Sequence, residues 1–359
     1  MATIEEPRQV DVDKLMQFVF KAVDEVGATL NTALVVMGDR LGLYRALAGA
    51  GPLTPAELAE KTGTAERYVR EWLNQQAAGG YVEYEADSGR YSLPPEQTSA
   101  LTDPESPAYL PGFFQIALGS VVDSPRIVDA AKTGDGIGWH DHVHDVHEGC
   151  ERFFRTSYNA HLVADWLPAL DGTVAKLESG GSVADVGCGH GASTVLMAEA
   201  FPSSRFTGFD YYDDSIETAS ERAEKAGVAA RVRFEKASAA SYPGQGYDLV
   251  TMFDCLHDMG DPAGAARHVR QSLAPDGTWM IVEPKAGDRV EENLNPVGRA
   301  YYGFSTLLCT PSSLSQEVGL ALGAQAGESR IRDVVLGAGF SSFRRVAETP
   351  FNMVFEAKP

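Results

Sequence analysis

The stretch VADVGCGHGAS, Val183–Ser193, decides the fold. A short apolar run ends in Asp185, and Gly187, Gly189 and Gly191 follow before an apolar helical pattern begins at Ala192. Glycine permits positive φ and removes the Cβ that would hold a ligand away from the backbone. The helix that starts here also offers free N–H groups at its first turn. The run Arg205–Phe209, RFTGF, reads as the next strand, and Asp210 stands at its end. A carboxylate at that place can accept the two hydroxyls of a ribose. Together these residues predict a nucleoside site at the carboxyl edge of a parallel sheet. Gly187, Gly189 and Ala192 also satisfy G-x-G-x-x-G/A, so a dinucleotide is the competing ligand.

Strands and helices alternate onward from this loop. Helical spacing runs from about Asp214 to Gly227, and strands are predicted at Arg231–Glu235, Tyr247–Phe253 and Thr278–Glu283. Asp261 and Pro262 supply a cap and a first helical position between the last two. Phe343–Ala347 and Asn352–Ala357 read as a closing hairpin-like pair. Such alternation predicts an α/β, doubly wound, largely parallel sheet from about residue 171 to 359.

Upstream, residues 1–108 read differently. Leu15, Val19, Ala22, Val23 and Val26 recur at helical spacing, and Ala28–Leu47 adds one or two helices. Thr54, Pro55 and Glu57 carry a helix start with a capping box, and Gly63 ends that helix. Thr64 is predicted to cap the next, which Gly79 and Gly80 stop. Tyr81–Glu85 and Arg90–Leu93 follow as a hairpin. Helix, turn, helix and hairpin make a winged helix-turn-helix. Residues 109–170 are predicted to be a helical linker rich in aromatics.

The chain has 359 residues and a formal net charge of −20. So acidic a surface repels nucleic acid. Residues 1–110 hold seventeen acidic and nine basic side chains, a balance of −8, and the presumptive reading helix sets Arg67 and Arg70 against Glu66 and Glu71. A transcriptional regulator is therefore the weaker reading of the winged helix. Cys150, Cys188, Cys255 and Cys309 are scattered, with no CxxC spacing. The N-terminus, MATIEEPRQVDVDK, lacks an apolar leader core, and no apolar run is long enough to span a bilayer. These features predict a cytoplasmic protein with no membrane partner.

Tyr247–Pro262, YDLVTMFDCLHDMGDP, and Leu273–Pro284, LAPDGTWMIVEP, extend the pattern to residues with chemistry. With Val183–Ala192 and Phe209-Asp210, they make the chain resemble the class I S-adenosylmethionine-dependent methyltransferases. It is most similar to small-molecule O-methyltransferases with an N-terminal winged-helix dimerisation domain. The resemblance implies a seven-stranded Rossmann-like sheet in the order 3-2-1-4-5-7-6 with an antiparallel last strand, S-adenosylmethionine as cofactor, and a homodimer.

It also implies site residues. Asp185, Gly187, Gly189 and Gly191 would form the cofactor loop, and Asp210 would take the ribose. Tyr211 would flank the adenine. Ser238 stands where the family often has an aspartate for the adenine amine. Asp254 and Cys255, at the end of the fourth strand, would lie beside the sulfonium. His257 of the Leu-His-Asp-Met motif would remove the acceptor proton, a task suited to an imidazole near its ordinary pKa of about 6.5. Glu283 would hold the other ring nitrogen. The family's second acidic partner falls near Gln325, which cannot be anionic, and Glu328 is its nearest substitute. Phe153, Phe154, Tyr158, Tyr301 and Tyr302 would line the pocket of a small-molecule acceptor.

Three other readings weigh less. A nucleophilic Cys255 is not needed, because the sulfonium is already an excellent leaving group and in-line placement is what the reaction requires. His140, His142, His144 and His147 have alternating spacing that can bind zinc or nickel, but a solvated loop is the simpler expectation, so no metal is assigned. A nicotinamide dehydrogenase fits the glycines but not the FDCLHD and LAPDG segments, and a cofactor-binding protein without catalysis fits everything except His257.

Overall fold

The structure, a computed structural model, describes residues 10–359; the first nine residues, including the acidic start of the chain and Arg8, lie outside the described residues. The chain folds as two units, one up to Pro104 with Ala108–Gln115, the other Glu105–Pro107 with Ile116–Pro359.

In the first unit, α1 (Val12–Arg40) is one continuous helix and α2 (Leu43–Leu47) follows a left-handed Gly42. The capping box predicted at Thr54 and Glu57 opens α3 (Pro55–Thr62), and left-handed Gly63 ends it. Thr64 does not cap α4 (Glu66–Ala78). Ala65 takes the N-cap position without a side-chain bond, and the Thr64 hydroxyl lies 2.8 Å from that of Thr62 instead. The wing is short: β1 (Glu83–Glu85) and β2 (Arg90–Ser92), antiparallel, then α5 (Pro95–Thr102). Leu43, Tyr44, Leu58, Val69, Trp72, Leu73 and Tyr91 form its core.

The second unit holds α6 (Pro111–Thr133, shared at its start with the first), α7 (His144–Ser157), a π-helical stretch Tyr158–Trp166 and α8 (Thr173–Ser179). The alternating part follows: β3 (Ser182–Val186), α9 (Ala192–Ala200), β4 (Arg205–Asp210), α10 (Asp213–Lys225), β5 (Val232–Lys236), β6 (Tyr247–Phe253), α11 (Pro262–Ser272) and β7 (Leu273–Pro284). The chain ends with α12 (Pro296–Phe304), α13 (Thr310–Leu314), α14 (Gly327–Gly337), β8 (Ser342–Glu348) and β9 (Asn352–Lys358). The sheet order is β5-β4-β3-β6-β7-β9-β8, with β9 antiparallel to both neighbours. Counted from β3 as the first strand, this is the order 3-2-1-4-5-7-6.

Alternation along the strands explains the layers. On β7, Trp279 and Ile281 face one core with Val250, Met252, Ile331 and Val335, while Met280 and Val282 face another with Leu249, Val195 and Met197. Side chains of successive strand residues point to opposite faces, so both faces are covered. Leu162, Trp166, Leu167 and Leu170 belong to the second core. Residues 116–170, expected to form most of a helical linker over 109–170, group with the sheet in the second unit, and residues 158–170 add five side chains to its second core. Among the described residues, no helix is long and apolar enough to cross a membrane.

Candidate active site

Parallel strands β3, β4, β6 and β7 end on one edge, and the sheet register sets what meets there. The glycine turn after β3 is left-handed at Gly187 (φ 74°), Gly189 (φ 50°) and Gly191 (φ 74°). The three differ in their reason for being glycine. A Cβ at Gly187 would lie 2.7 Å from the Cys255 sulfur, and one at Gly191 would lie 2.7 Å from the Phe234 ring. A Cβ at Gly189 would meet nothing within 4 Å. Packing thus demands the outer two, whereas the middle one borders open space that a ligand can enter.

Asp210 sits against this turn. Its Oδ2 accepts the Gly189 N–H at 3.0 Å and its Oδ1 the Tyr212 N–H at 3.0 Å. Burial raises its pKa, against the pull of the Tyr212, Gly189 and Tyr211 N–H groups. A carboxylate has about four lone-pair sites, so these N–H groups leave it acceptor capacity for a ribose hydroxyl. The open cradle beside Gly189 and this part-used carboxylate fit a nucleoside. Tyr211 is exposed, with its hydroxyl 3.5 Å from His140 Nδ1. Ser238 is also exposed, in the turn after β5, where its hydroxyl accepts the Ala240 N–H at 3.3 Å.

Asp185 departs from expectation. It is fully buried, and its carboxylate accepts hydroxyls from Ser193 at 2.7 Å, Thr194 at 2.6 Å and Thr251 at 2.8 Å. It fastens β3 to the start of α9 and to β6, from inside the fold, and does not face the ligand space.

Asp254 and Cys255 follow β6. Asp254 has φ 50°, uncommon for a residue with a Cβ, so it is held there by its surroundings. Its Oδ1 accepts from Asn352 Nδ2 at 2.8 Å, and its Oδ2 is buried without a hydrogen-bond partner. Burial, then the Glu283 charge, pushes its pKa up. The Cys255 thiol lies 3.4 Å from the Val186 carbonyl, and burial keeps it protonated, which opposes a nucleophilic role.

His257, in a single 3₁₀ turn after β6, is buried together with Glu283 near the end of β7. His257 Nδ1 lies 2.6 Å from Glu283 Oε2, and Glu283 Oε1 accepts the Leu256 N–H at 3.1 Å. On the other side, His257 Nε2 is 3.1 Å from Asp258 Oδ1. Burial opposes a charge on the imidazole, but the Asp258 and Glu283 carboxylates outweigh it and hold its pKa well above the ordinary value. Glu328 is not available to this group, since it pairs with Arg345 at 2.6 Å. Gln325 turns its amide N–H to the Lys285 and Ala324 carbonyls.

The aromatic residues divide. Tyr158 packs on Phe253, with ring centroids 5.0 Å apart, and the charges that act on its hydroxyl include Asp254 and Asp185. Tyr301 donates to the Phe351 carbonyl at 2.9 Å and also feels Asp254. Phe153 is buried against Phe154 and Phe351. Phe154 is partly buried on the core that holds Tyr158 and Trp166. Tyr302 is directed elsewhere: its hydroxyl lies 3.5 Å from Asn293 Nδ2.

The histidine-rich segment disperses its side chains. His142 is buried on Asp123 at 2.8 Å, His147 lies on Trp139 and Tyr212, and His140 faces Tyr211. Sequence reasoning missed Asn352, which reaches Asp254 from 98 positions further along the chain, and the contact of Asp258 with His257. The first had no local signal. The second was present in the Leu-His-Asp-Met motif but was not drawn from it.

A doubly wound sheet of this order, with a glycine turn, the Asp210 carboxylate and a His–Glu pair at one edge, defines a class I methyltransferase fold. Residues 177–317 match the family described as methyltransferase domain, and residues 29–103 match the Rv2258c-like winged HTH domain. The chain thus carries a methyltransferase domain and, ahead of it, a winged HTH segment. It is 33% identical over 139 residues to the 27-O-demethylrifamycin SV methyltransferase of Amycolatopsis mediterranei, covering 36% of this chain and 51% of that one. The chain spans between about a quarter and about half the length of the first curated relatives it matches. The solved structure of mitomycin 7-O-methyltransferase superposes with a TM-score of 0.69 at 19% identity, covering 97% of this chain and 100% of that one. Human N-acetylserotonin methyltransferase, in complex with SAM, gives 0.69 at 16% identity and covers 100% and 99%. At such identities these two likenesses concern the fold.

Proposed function

We propose that this chain binds S-adenosylmethionine and methylates a hydroxyl oxygen of a small molecule. The observation that carries this reading is the buried His257–Glu283 pair at the sheet edge next to the glycine turn. A hydroxyl is a poor nucleophile until its proton is removed, whereas a neutral amine or a thiolate needs no base. A base in the site therefore favours oxygen over nitrogen or sulfur. The names of the Amycolatopsis relative and of the mitomycin neighbour agree with that choice.

Gly187, Gly189 and Gly191 provide the turn against the cofactor, with Asp210 on its ribose and Tyr211 and Ser238 toward its adenine. Bound there, S-adenosylmethionine supplies an electrophilic methyl group on sulfur. The chain's own work is to place the acceptor and handle its proton. Glu283 accepts from His257 Nδ1 and so directs Nε2 to the acceptor; Nε2 takes a proton from the neutral imidazole, the form favoured once the Asp258 carboxylate no longer faces it. Asp258 now faces Nε2, and an acceptor hydroxyl bound at that nitrogen displaces its carboxylate. Tyr158, Tyr301, Phe153 and Phe154 then form the apolar side of the acceptor space.

The winged helix serves dimerisation in this reading. Val12, Met16, Val19, Val23, Val26 and Leu30 lie on α1 at alternating steps of four and three, and all are exposed. This is the heptad seam of helices that pack on one another, which a second copy of the chain satisfies. DNA binding is disfavoured, because Arg67 and Arg70 on α4 are paired with Glu71 and Glu66. Four free cysteines accord with the cytoplasm.

Calorimetry with S-adenosylhomocysteine and, separately, NAD tests the donor. Binding of the first and not the second supports the reading; the reverse makes the chain a dehydrogenase. Uptake of S-adenosylhomocysteine without methylation of any hydroxyl in a phenol and alcohol panel leaves it a binding protein.

A further inference from the structure

His257, Asp258 and Cys309 offer an imidazole nitrogen, a carboxylate oxygen and a thiol sulfur that all lie within 4.8 Å of one another. We propose that these three side chains form a zinc site. Occupancy uses the Nε2 lone pair of His257, so zinc stops the proton removal assigned to that atom. The second statement rests on the methyltransferase reading; the first does not.

The donor set selects the metal. Magnesium and calcium take oxygen ligands, whereas a mixture of sulfur, nitrogen and oxygen suits zinc. Three protein ligands also leave one tetrahedral position for solvent. Ligand atoms about 2.0–2.3 Å from zinc stand about 3.5 Å apart, so the widest separation needs to close by about 1 Å. The His257 to Asp258 separation, 3.1 Å, already meets that requirement.

The surroundings hold the group in place. Glu283 fixes His257 through Nδ1, the carboxylate–histidine arrangement that orients a metal-binding imidazole. Asp258 Oδ1 is buried and receives no well-directed hydrogen bond. Cys309 closes the π-helical turn Ser305–Cys309, an irregularity often found at functional sites. The segment after it is tied to the His257 turn. Ser313 Oγ donates to the Met259 carbonyl at 2.8 Å, Gln316 Nε2 donates to the Asp258 carbonyl at 2.9 Å, and Gln316 Oε1 accepts the Gly260 N–H at 3.0 Å. The ligands from two distant parts of the chain are thus on one clamped frame. Binding exchanges the thiol proton of Cys309, and any proton on His257 Nε2, for a metal bond, and both protons go to solvent. No oxidation is involved.

Zinc chloride titrated into the metal-free full chain, by calorimetry against a competing chelator, tests the site. One zinc per chain is expected. Cys309→Ala and the isosteric Asp258→Asn should each weaken it at least ~100-fold, the scale on which metal sites answer to damage. Cobalt, as a spectroscopic substitute, should give a near-ultraviolet thiolate band that Cys309→Ala abolishes and Cys150→Ala keeps. No stoichiometric zinc, or equal binding by Cys309→Ala and Asp258→Asn chains that melt like the parent, overturns the proposal. S-adenosylhomocysteine binding, measured on the same sample, reports independently on the methyltransferase reading.

Discussion

His257 Nδ1 lies 2.6 Å from Glu283 Oε2, and the two side chains are almost wholly buried. The strands that carry them are neighbours in the sheet, with Phe253 paired to Val282, so the pair is a product of sheet register. His257→Ala should slow turnover at least ~100-fold, the usual worth of a positioned base, and leave the affinity for S-adenosylhomocysteine near its parent value. Glu283→Gln keeps the shape and removes the charge, so it should lower kcat more than it changes KM. Steady-state kinetics with calorimetry separate the two effects. Full activity in His257→Ala removes the assignment of the base.

Asp210 gives an opposite signature. Its carboxylate is argued to hold the ribose, so Asp210→Ala should weaken S-adenosylhomocysteine by about 10- to 150-fold, corresponding to about 1.5–3 kcal/mol for hydrogen bonds to a charged group. At saturating cofactor, kcat should recover most of its parent value. A Kd unchanged by the substitution places the nucleoside elsewhere.

The difference between these two residues marks what the sequence could convey. Asp210 and the glycines are read from one short stretch, because a strand, a turn and a helix follow each other without a gap. Alternation of strands and helices gave the parallel α/β class, whereas the strand order came from the resemblance to the class I methyltransferases. Asp185 was read from the same stretch, but the chain alone does not tell that its carboxylate turns inward to Ser193, Thr194 and Thr251. Asn352 and Cys309 were not legible at all. Each reaches the site through packing of segments far apart in sequence, and neither has a local pattern that marks it. That Leu162 and Trp166 join the second core was not legible for the same reason: helical aromatics look alike whether they join two units or cover a sheet.

The exposed seam on α1 predicts assembly. Val23 and Leu30 are each more than three-fifths exposed in the single chain and lie on one helical face. Val23→Asp with Leu30→Asp puts two charges into an apolar seam and should convert the dimer to a monomer, measured by light scattering with size-exclusion chromatography. The charges face outward, so the winged unit should stay folded by circular dichroism. A parent chain that is monomeric at all concentrations removes the dimer.

His147 predicts how stability varies with acid. Burial lowers its pKa to about 4, helped by charge on His142, His190 and His144 and opposed by its contact with the His142 carbonyl. The unfolded chain takes up that proton near pH ~6.5, the ordinary histidine value. Below that pH the unfolded state binds more protons than the folded one, so stability should fall as pH drops from ~6.5 to about 4 and the effect of this group should level off beneath it. His147→Phe keeps a ring against Trp139 and Tyr212 but cannot titrate. Its melting temperature should decline less than that of the parent between neutral pH and pH ~5, as measured by calorimetry. Equal declines would show that His147 stays accessible to protons.

Gly189 and Gly191 separate holding a ligand from holding the fold. Both have positive φ, so alanine at either costs about 1–2 kcal/mol of backbone strain. Only at Gly191 does the new Cβ also collide, 2.7 Å from Phe234 and 2.8 Å from Ala219, and overpacking of that kind adds about 1–3 kcal/mol. Gly191→Ala should therefore lower the melting temperature well beyond Gly189→Ala. Gly189→Ala has free space for its methyl, and that space is where the cofactor is argued to approach the backbone. Its loss should appear in binding: a weakened Kd for S-adenosylhomocysteine out of proportion to its small loss of stability. If Gly189→Ala binds like the parent, the ligand does not come within contact of that residue, and the cradle has been drawn in the wrong place.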